Sequence, residues 1–197
     1  MECGEPCCID LVNRLNSLKK TASEDRYTRL LDWSATAGSL SSGELDRLRT
    51  EAGRRPTEAE QVAARALELA LLLRRLLTTR AEGRHPDPGD LARLNRELAA
   101  PLGALGLRPT ERGYRLGWEE DAGDLEKILW PMVRSAAELL VSPDLERLKL
   151  CAADSCGWLF LDRSRNGRRR WCDMKVCGNR EKVRRHREAA RDSKSGR

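Results

Sequence analysis

The sequence predicts a mainly α protein in two parts: an N-terminal helical domain interrupted by one β-hairpin, and a small C-terminal module of a second hairpin and a basic helix. Three observations predict it. Ala, Leu, Arg and Glu dominate a chain that is only 4% aromatic, a composition that favours helix. Apolar residues recur at helical spacing through most of the first 141 residues, and strict alternation is confined to one stretch. Four cysteines in two close pairs then crowd into the C-terminal end, where the charge turns strongly basic.

Taken in order, Ile9, Val12, Leu15 and Leu18 predict a first helix over residues 8 to 20. Ser23-Glu24-Asp25 starts a second, with Tyr27, Leu30, Leu31 and Ala35 on one face, and Gly38 with the following serines breaks it. Leu45 and Leu48 mark a short third helix ending by Gly53. Pro56-Thr57-Glu58 opens the longest helix, and Thr57 with Glu60 has the spacing of a capping box. Its stripe of Val62, Ala66, Leu69, Leu73, Leu76 and Leu77 reads as core as far as about Arg80. Glu82 to Asp90 is a Gly- and Pro-rich loop, and Leu91, Leu94, Leu98 and Ala99 form the next helix, closed by Pro101 and Gly103. Between residues 105 and 120, Tyr114, Leu116 and Trp118 alternate beside Arg112-Gly113, the pattern of a hairpin. Asp124 starts a helix through Leu125, Ile128, Leu129, Val133 and Leu140, which Pro131 must kink or split. These signals divide the chain into a helical domain at 1–141, a cysteine module at 142–191 and a disordered tail at 192–197.

The module's cysteines, Cys151, Cys156, Cys172 and Cys177, read C-x4-C-x15-C-x4-C, a spacing that lets both pairs converge on one ion. A segment this short cannot bury enough apolar area to fold alone, and bound metal supplies the difference. Trp158-Leu159-Phe160-Leu161 reads as one strand, Asn166-Gly167 as a turn, Arg168 to Trp171 as the returning strand and Arg180 to Arg191 as a helix. One Zn2+ held by four thiolates has no open position, so its role is structural; an iron–sulfur cluster is the other centre that four cysteines allow. Cys3, Cys7 and Cys8 stand apart as a second metal site, a redox cluster or ordinary thiols. His85 falls in a loop and His186 points away from the cysteines.

Charge is divided as sharply as structure. The net charge is +6, yet residues 163 to 197 hold 14 Lys and Arg against 4 Asp and Glu, leaving the rest mildly acidic. Such a basic end on an acidic body fits a polyanion partner. No run is apolar enough to span a bilayer, and the start Met1-Glu2-Cys3-Gly4-Glu5 lacks the charge pattern of a signal peptide, so the chain is expected in the cytoplasm, away from membranes. There, seven cysteines point to metal or redox chemistry over disulfides. With two histidines, no Ser/His/Asp set and no phosphate-cradling Gly loop, no enzyme is expected. Asp10 and Asn13, one helical turn apart, can line a small pocket or sit at a cap or core edge.

The run Cys151-x4-Cys156-Gly157-Trp158-Leu159-Phe160-Leu161-Asp162, then Arg169-Arg170-Trp171-Cys172 and Cys177-Gly178-Asn179-Arg180, resembles the CGNR-type zinc finger, and its order resembles a treble clef. Cys8-Ile9-Asp10-Leu11-Val12-Asn13 is similar to the opening motif of the ABATE domain, with Leu11 and Arg14 where Phe and Thr are usual; Leu30-Leu31-Asp32-Trp33 also fits. Asp173 stands where Ser is common, and an acid there weakens the zinc or a nearby phosphate contact. The resemblance implies a stress-induced transcription regulator with a zinc-stabilised DNA-binding end. In that role Arg180, Arg184, Arg187 and Arg191 share one face of the last helix, flanked by Lys182 and Arg185, with Val183 and Ala190 packed on the hairpin. Arg163, Arg165, Arg168, Arg169 and Arg170 form a second basic patch, and Asn179 with Arg180 reads bases. The alternative is a zinc-stabilised module for RNA or an acidic protein without sequence-specific DNA binding. A homodimer through the helical domain, and oxidation of the zinc thiolates as a switch, are compatible with either.

Overall fold

The computed structural model describes residues 6–118 and 124–195. At its centre is α4 (Pro56–Ala81), which packs against α1 (Cys7–Lys20), α2 (Ser23–Ala37), α3 (Ser42–Arg54) and α5 (Pro88–Gly103). Every residue of its expected stripe is buried, joined by Ala59, Ala63, Ala70 and Leu72. The alanines let neighbouring helices approach, and the leucines fill the space between, each stabilising the fold by about 1.5–3 kcal/mol. Cys8, Ile9, Leu11 and Val12 of α1 and Tyr27, Leu30, Leu31 and Trp33 of α2 complete this side of the core, whereas Ala35 is exposed. Leu15 and Glu24 have side chains outside the described residues.

Local signals set the helix ends. Gly38 closes α2 at φ +60°, the left-handed position that only glycine takes without strain. A capping box does form, but at Ser41 and Glu44: the Ser41 hydroxyl accepts the Glu44 N–H, and Glu44 Oε2 accepts the Ser41 N–H at 2.8 Å. The one expected at Thr57 and Glu60 does not. Pro56 sets the first helical φ, which places Thr57 inside α4 and Arg55 at the N-cap, where it supplies no side-chain cap. Pro101 lies inside the last turn of α5, where its missing N–H costs a single bond, and the helix continues to Gly103.

The first hairpin is present as β1 (Gly106–Thr110) and β2 (Gly113–Gly117), with Leu107 opposite Leu116 and Pro109 opposite Tyr114. Trp118 anchors its base, donating to the Pro101 carbonyl at 2.7 Å and meeting Trp130 edge-on. Residues 119–120 of the expected stretch lie outside the described residues. Pro131 splits the next segment into a 3₁₀ helix, Leu125–Leu129, and α6 (Trp130–Val141), whose first turn it occupies.

The second hairpin differs from expectation. β4 (Leu159–Leu161) pairs with β3 (Leu148–Leu150), antiparallel, with Leu148 opposite Leu161, and the stretch 168–171 is not a strand. All three residues of β4 are buried, so the strand needs an apolar neighbour. Leu148 and Leu150 supply one; Arg168-Arg169-Arg170 belongs in water. Leu148, Leu159 and Leu161 join the same core as the helical domain, so this hairpin welds the cysteine module to the body. Beyond a short π turn (Met174–Gly178), α7 (Asn179–Ser195) runs past Arg191, and the expected disordered tail is helical as far as Ser195; residues 196–197 lie outside the described residues. Among the described residues no helix is long and apolar enough to cross a membrane.

Candidate metal centre and basic surface

Backbone turns bring the four cysteines together. After β3 the chain folds into a knuckle: Cys151 N–H donates to Trp158 O at 2.7 Å and Cys156 N–H to Ala153 O at 2.9 Å. Gly157 closes it at φ +69°, and the Arg74 guanidinium of α4 donates to its carbonyl at 3.1 Å. Of the second pair, Cys177 lies in the π turn ahead of α7 and Cys172 just before it. Asp173 caps that turn, its carboxylate accepting the Val176 N–H at 2.8 Å and its carbonyl accepting the Cys177 N–H at 2.9 Å. The acid at 173 thus has a local task, and its carboxylate points along the helix start.

The four sulfurs all lie within 4.8 Å of one another, and Cys172 is 3.6 Å from both Cys156 and Cys177. Four ligands at about 2.3 Å around a tetrahedral zinc sit about 3.8 Å apart, so the set fits that ion. Burial, then the neighbouring sulfurs, pushes the Cys172 thiol well up and Cys177 to about 11. A central dication offsets what opposes their ionisation. Other groups already favour thiolates: the Cys172 N–H donates to Cys151 Sγ at 3.4 Å, and the N-terminal end of α7 follows directly on Cys177. Phe160, Ala153 and Trp171 wall the cluster with apolar surface. Four thiols fill a tetrahedral set and leave no open position, which suits a structural ion.

The remaining cysteines behave differently. Cys8 is fully buried and its thiol is pushed to about 12 by burial, while Cys7 Sγ donates to the Pro131 carbonyl. Both are packed thiols, away from the four-cysteine group; Cys3 lies outside the described residues. His85 and His186 are exposed.

The basic residues divide into two groups. Arg169 works inside the module: it donates from Nε to Trp171 O at 2.8 Å, reaches the Cys172 carbonyl and stacks over Phe160 at 4.9 Å. Arg184 is held by three carboxylates, Glu181, Glu188 and Asp154, and Arg185 also pairs with Glu181. Glu181 is the buried residue among the described side chains of α7, paired with Arg184 and Arg185; Val183, expected to pack on the hairpin, is 48% exposed. Ala190 and Arg191 have side chains outside the described residues. Arg165, Arg168, Arg170, Arg180, Lys182 and Arg187 are exposed and make no ion pair among the described residues, although Arg180 donates to Ser155 Oγ and Arg170 stacks on Trp171. Arg163 is exposed as well. Asn179, Arg180, Arg184 and Arg187 line one shallow groove along α7.

Three supporting residues were not legible as such. Asp162, 1% exposed, accepts from Lys149 Nζ at 2.6 Å, Arg169 N at 2.9 Å and Ser164 N at 3.0 Å, tying down the arginine loop. Burial alone would raise its pKa, but the Lys149 ammonium and these N–H donors outweigh it and hold the carboxyl far below its usual range. Asn13 makes a two-way bridge to β4: its amide Nδ2 donates to Leu159 O, and its Oδ1 accepts Leu159 N–H, both at 2.9 Å. Asp10 accepts the Trp33 indole N–H and Arg14 Nε, so the opening motif locks α1 to α2 on one side and to the cysteine module on the other.

Comparison with known proteins agrees with this division. A CGNR zinc finger profile matches residues 147–190, and a profile described as Putative stress-induced transcription regulator, the ABATE domain, matches residues 5–143. No curated protein matches the chain. With most of its length inside the second profile and four convergent thiols inside the first, the chain belongs to the ABATE family and carries a CGNR zinc finger.

Proposed function

We propose that the chain is a transcription regulator that binds duplex DNA through its zinc finger, with one structural Zn2+ on Cys151, Cys156, Cys172 and Cys177. The observation that carries the reading is a set of exposed cations around the finger that make no ion pair among the described residues: Arg165, Arg168 and Arg170 on the loop, and Arg180, Lys182 and Arg187 on α7. Internal carboxylates already engage Arg184 and Arg185, and the zinc module engages Arg169, so these three position the surface and do not dock phosphate. Asn179 and Arg180 stand at the start of α7, and in this reading they contact base edges. The zinc holds the loop and the helix in register and does no chemistry.

Anisotropy titration of labelled duplex with the zinc-loaded chain at two salt concentrations tests this. Affinity is expected to fall steeply with salt, and Arg168→Ala/Arg187→Ala to reduce the logarithmic salt slope by about 2, roughly one for each lost phosphate contact. The absence of salt-sensitive duplex binding would sink the reading. A second reading, an acidic protein partner, draws support from Trp158, Met174, Val176 and Val183, apolar side chains exposed among these cations. Capture of a protein that survives nuclease treatment, with no duplex binding, would favour it.

A further inference from the structure

We propose that the cleft between α1 and α2 binds a small monocarboxylate with an apolar body about the size of one ring. The cleft has a volume of about 170 Å³. An apolar cavity of roughly 150 Å³ holds a benzene molecule, so the space matches a single ring or a short branched chain. Its floor is Leu11, Leu18 and Leu30, all buried. One wall is Trp33, whose indole N–H is tied to Asp10, so the ring is held in a fixed orientation. Leu11, Leu18, Leu30 and Trp33 make up the apolar part of the lining, and Ser17 and Thr36 join the charged rim, an arrangement that suits a ligand with one apolar and one charged end.

The rim sets the charge. Arg14, Arg29 and Asp32 all line the cleft. Arg14 is engaged by Asp10 at 3.1 Å, and Asp32 by Arg49 of α3 at 3.7 Å. Arg29 is exposed and has no hydrogen bond or ion pair among the described residues. One uncommitted guanidinium over an apolar floor matches one carboxylate, which it can grip with two parallel N–H donors. The helix that supplies Leu11, Arg14 and Leu18 also carries Asn13, the bridge to β4, so occupancy of the cleft bears on the element that seats the finger.

Isothermal titration of the zinc-loaded full chain with sodium benzoate, against sodium chloride at matched ionic strength, tests the site without reference to DNA, so its failure is distinguishable from failure of the DNA reading. Benzoate is expected to bind in the millimolar range or tighter. Benzyl alcohol, similar in shape but neutral, should bind about tenfold more weakly, and Arg29→Gln should lower benzoate affinity by about tenfold, with Arg29→Lys restoring part of it. Thr36→Trp, at the exposed rim, should block the cleft while the far-ultraviolet circular dichroism stays unchanged. No heat with benzoate, equal affinity for the alcohol, or an unchanged constant in Arg29→Gln would each overturn the proposal.

Discussion

Asn13 is a short side chain with a long reach. Its amide presents one donor and one acceptor to the backbone of Leu159, imitating a neighbouring strand at the edge of β4. Asn13→Ala leaves a partly buried N–H and C=O without partners, and should lower unfolding free energy by about 1–3 kcal/mol in urea denaturation. Asn13→Asp removes the donor and adds charge, and should be no better. Asp162 acts through its ionised form. Its folded pKa is depressed, so its contribution is present above the unfolded value near about 3.9 and is lost as the pH falls below it. Asp162→Asn should therefore be less stable at neutral pH, with a flatter decline in stability between about pH 5 and pH 2, followed by tryptophan fluorescence. Neither role could be read from the chain alone: Asn13 and Leu159 are 146 positions apart, and the Asp162 site forms only where the fold turns Lys149 and Arg169 onto one carboxylate.

At the level of elements, the helices were legible because their information is local. The apolar stripe of α4, the break at Gly38 and the split at Pro131 all follow from spacing and from residue chemistry over a few turns. Caps were less legible: Ser41 and Thr57 each have a Glu three residues on, but Pro56 ahead of Thr57 takes the first helical position, so only Ser41 caps its helix. Ser41→Ala should cost about 1 kcal/mol in thermal denaturation, and Thr57→Ala well under that. The finger's strand pairing was misread because the turn at Asn166-Gly167 is a real turn, with Gly167 at φ +60°, yet joins no two strands. What decides the partner of β4 is burial, and burial is set by helices far away in sequence. On α7, the expected phosphate-binding face proved to be partly an internal salt-bridge network. Arg184→Ala should lower the helicity of the chain, whereas Arg187→Ala, free of carboxylates among the described residues, should leave helicity unchanged and weaken duplex binding.

The convergence of the four cysteines was legible, being a pattern of identity and spacing, but the helical domain and the cysteine module share one core. Leu148, Leu159 and Leu161 lie in the core built by α1, α4 and α6, and Arg74 holds the knuckle from the side. The finger is seated in the body, so losing the ion should be felt throughout. Chelation is expected to lower the thermal midpoint of the whole chain in one transition, monitored at once by helical circular dichroism and by hydrogen exchange of α1 amides. Two separate transitions, with α1 protection unchanged by chelation, would contradict a shared core.

The same bridge bears on how the chain is made. Residue 13 leaves the ribosome long before residue 159, so α1 emerges, and can pack on α4 and α6, while one of its edges still has no partner. Closure of the body waits for the last strand and for a metal ion to gather the sulfurs around it. In a cell short of zinc, newly made copies would stall in that half-assembled form, exposed to proteases, while copies completed earlier persist.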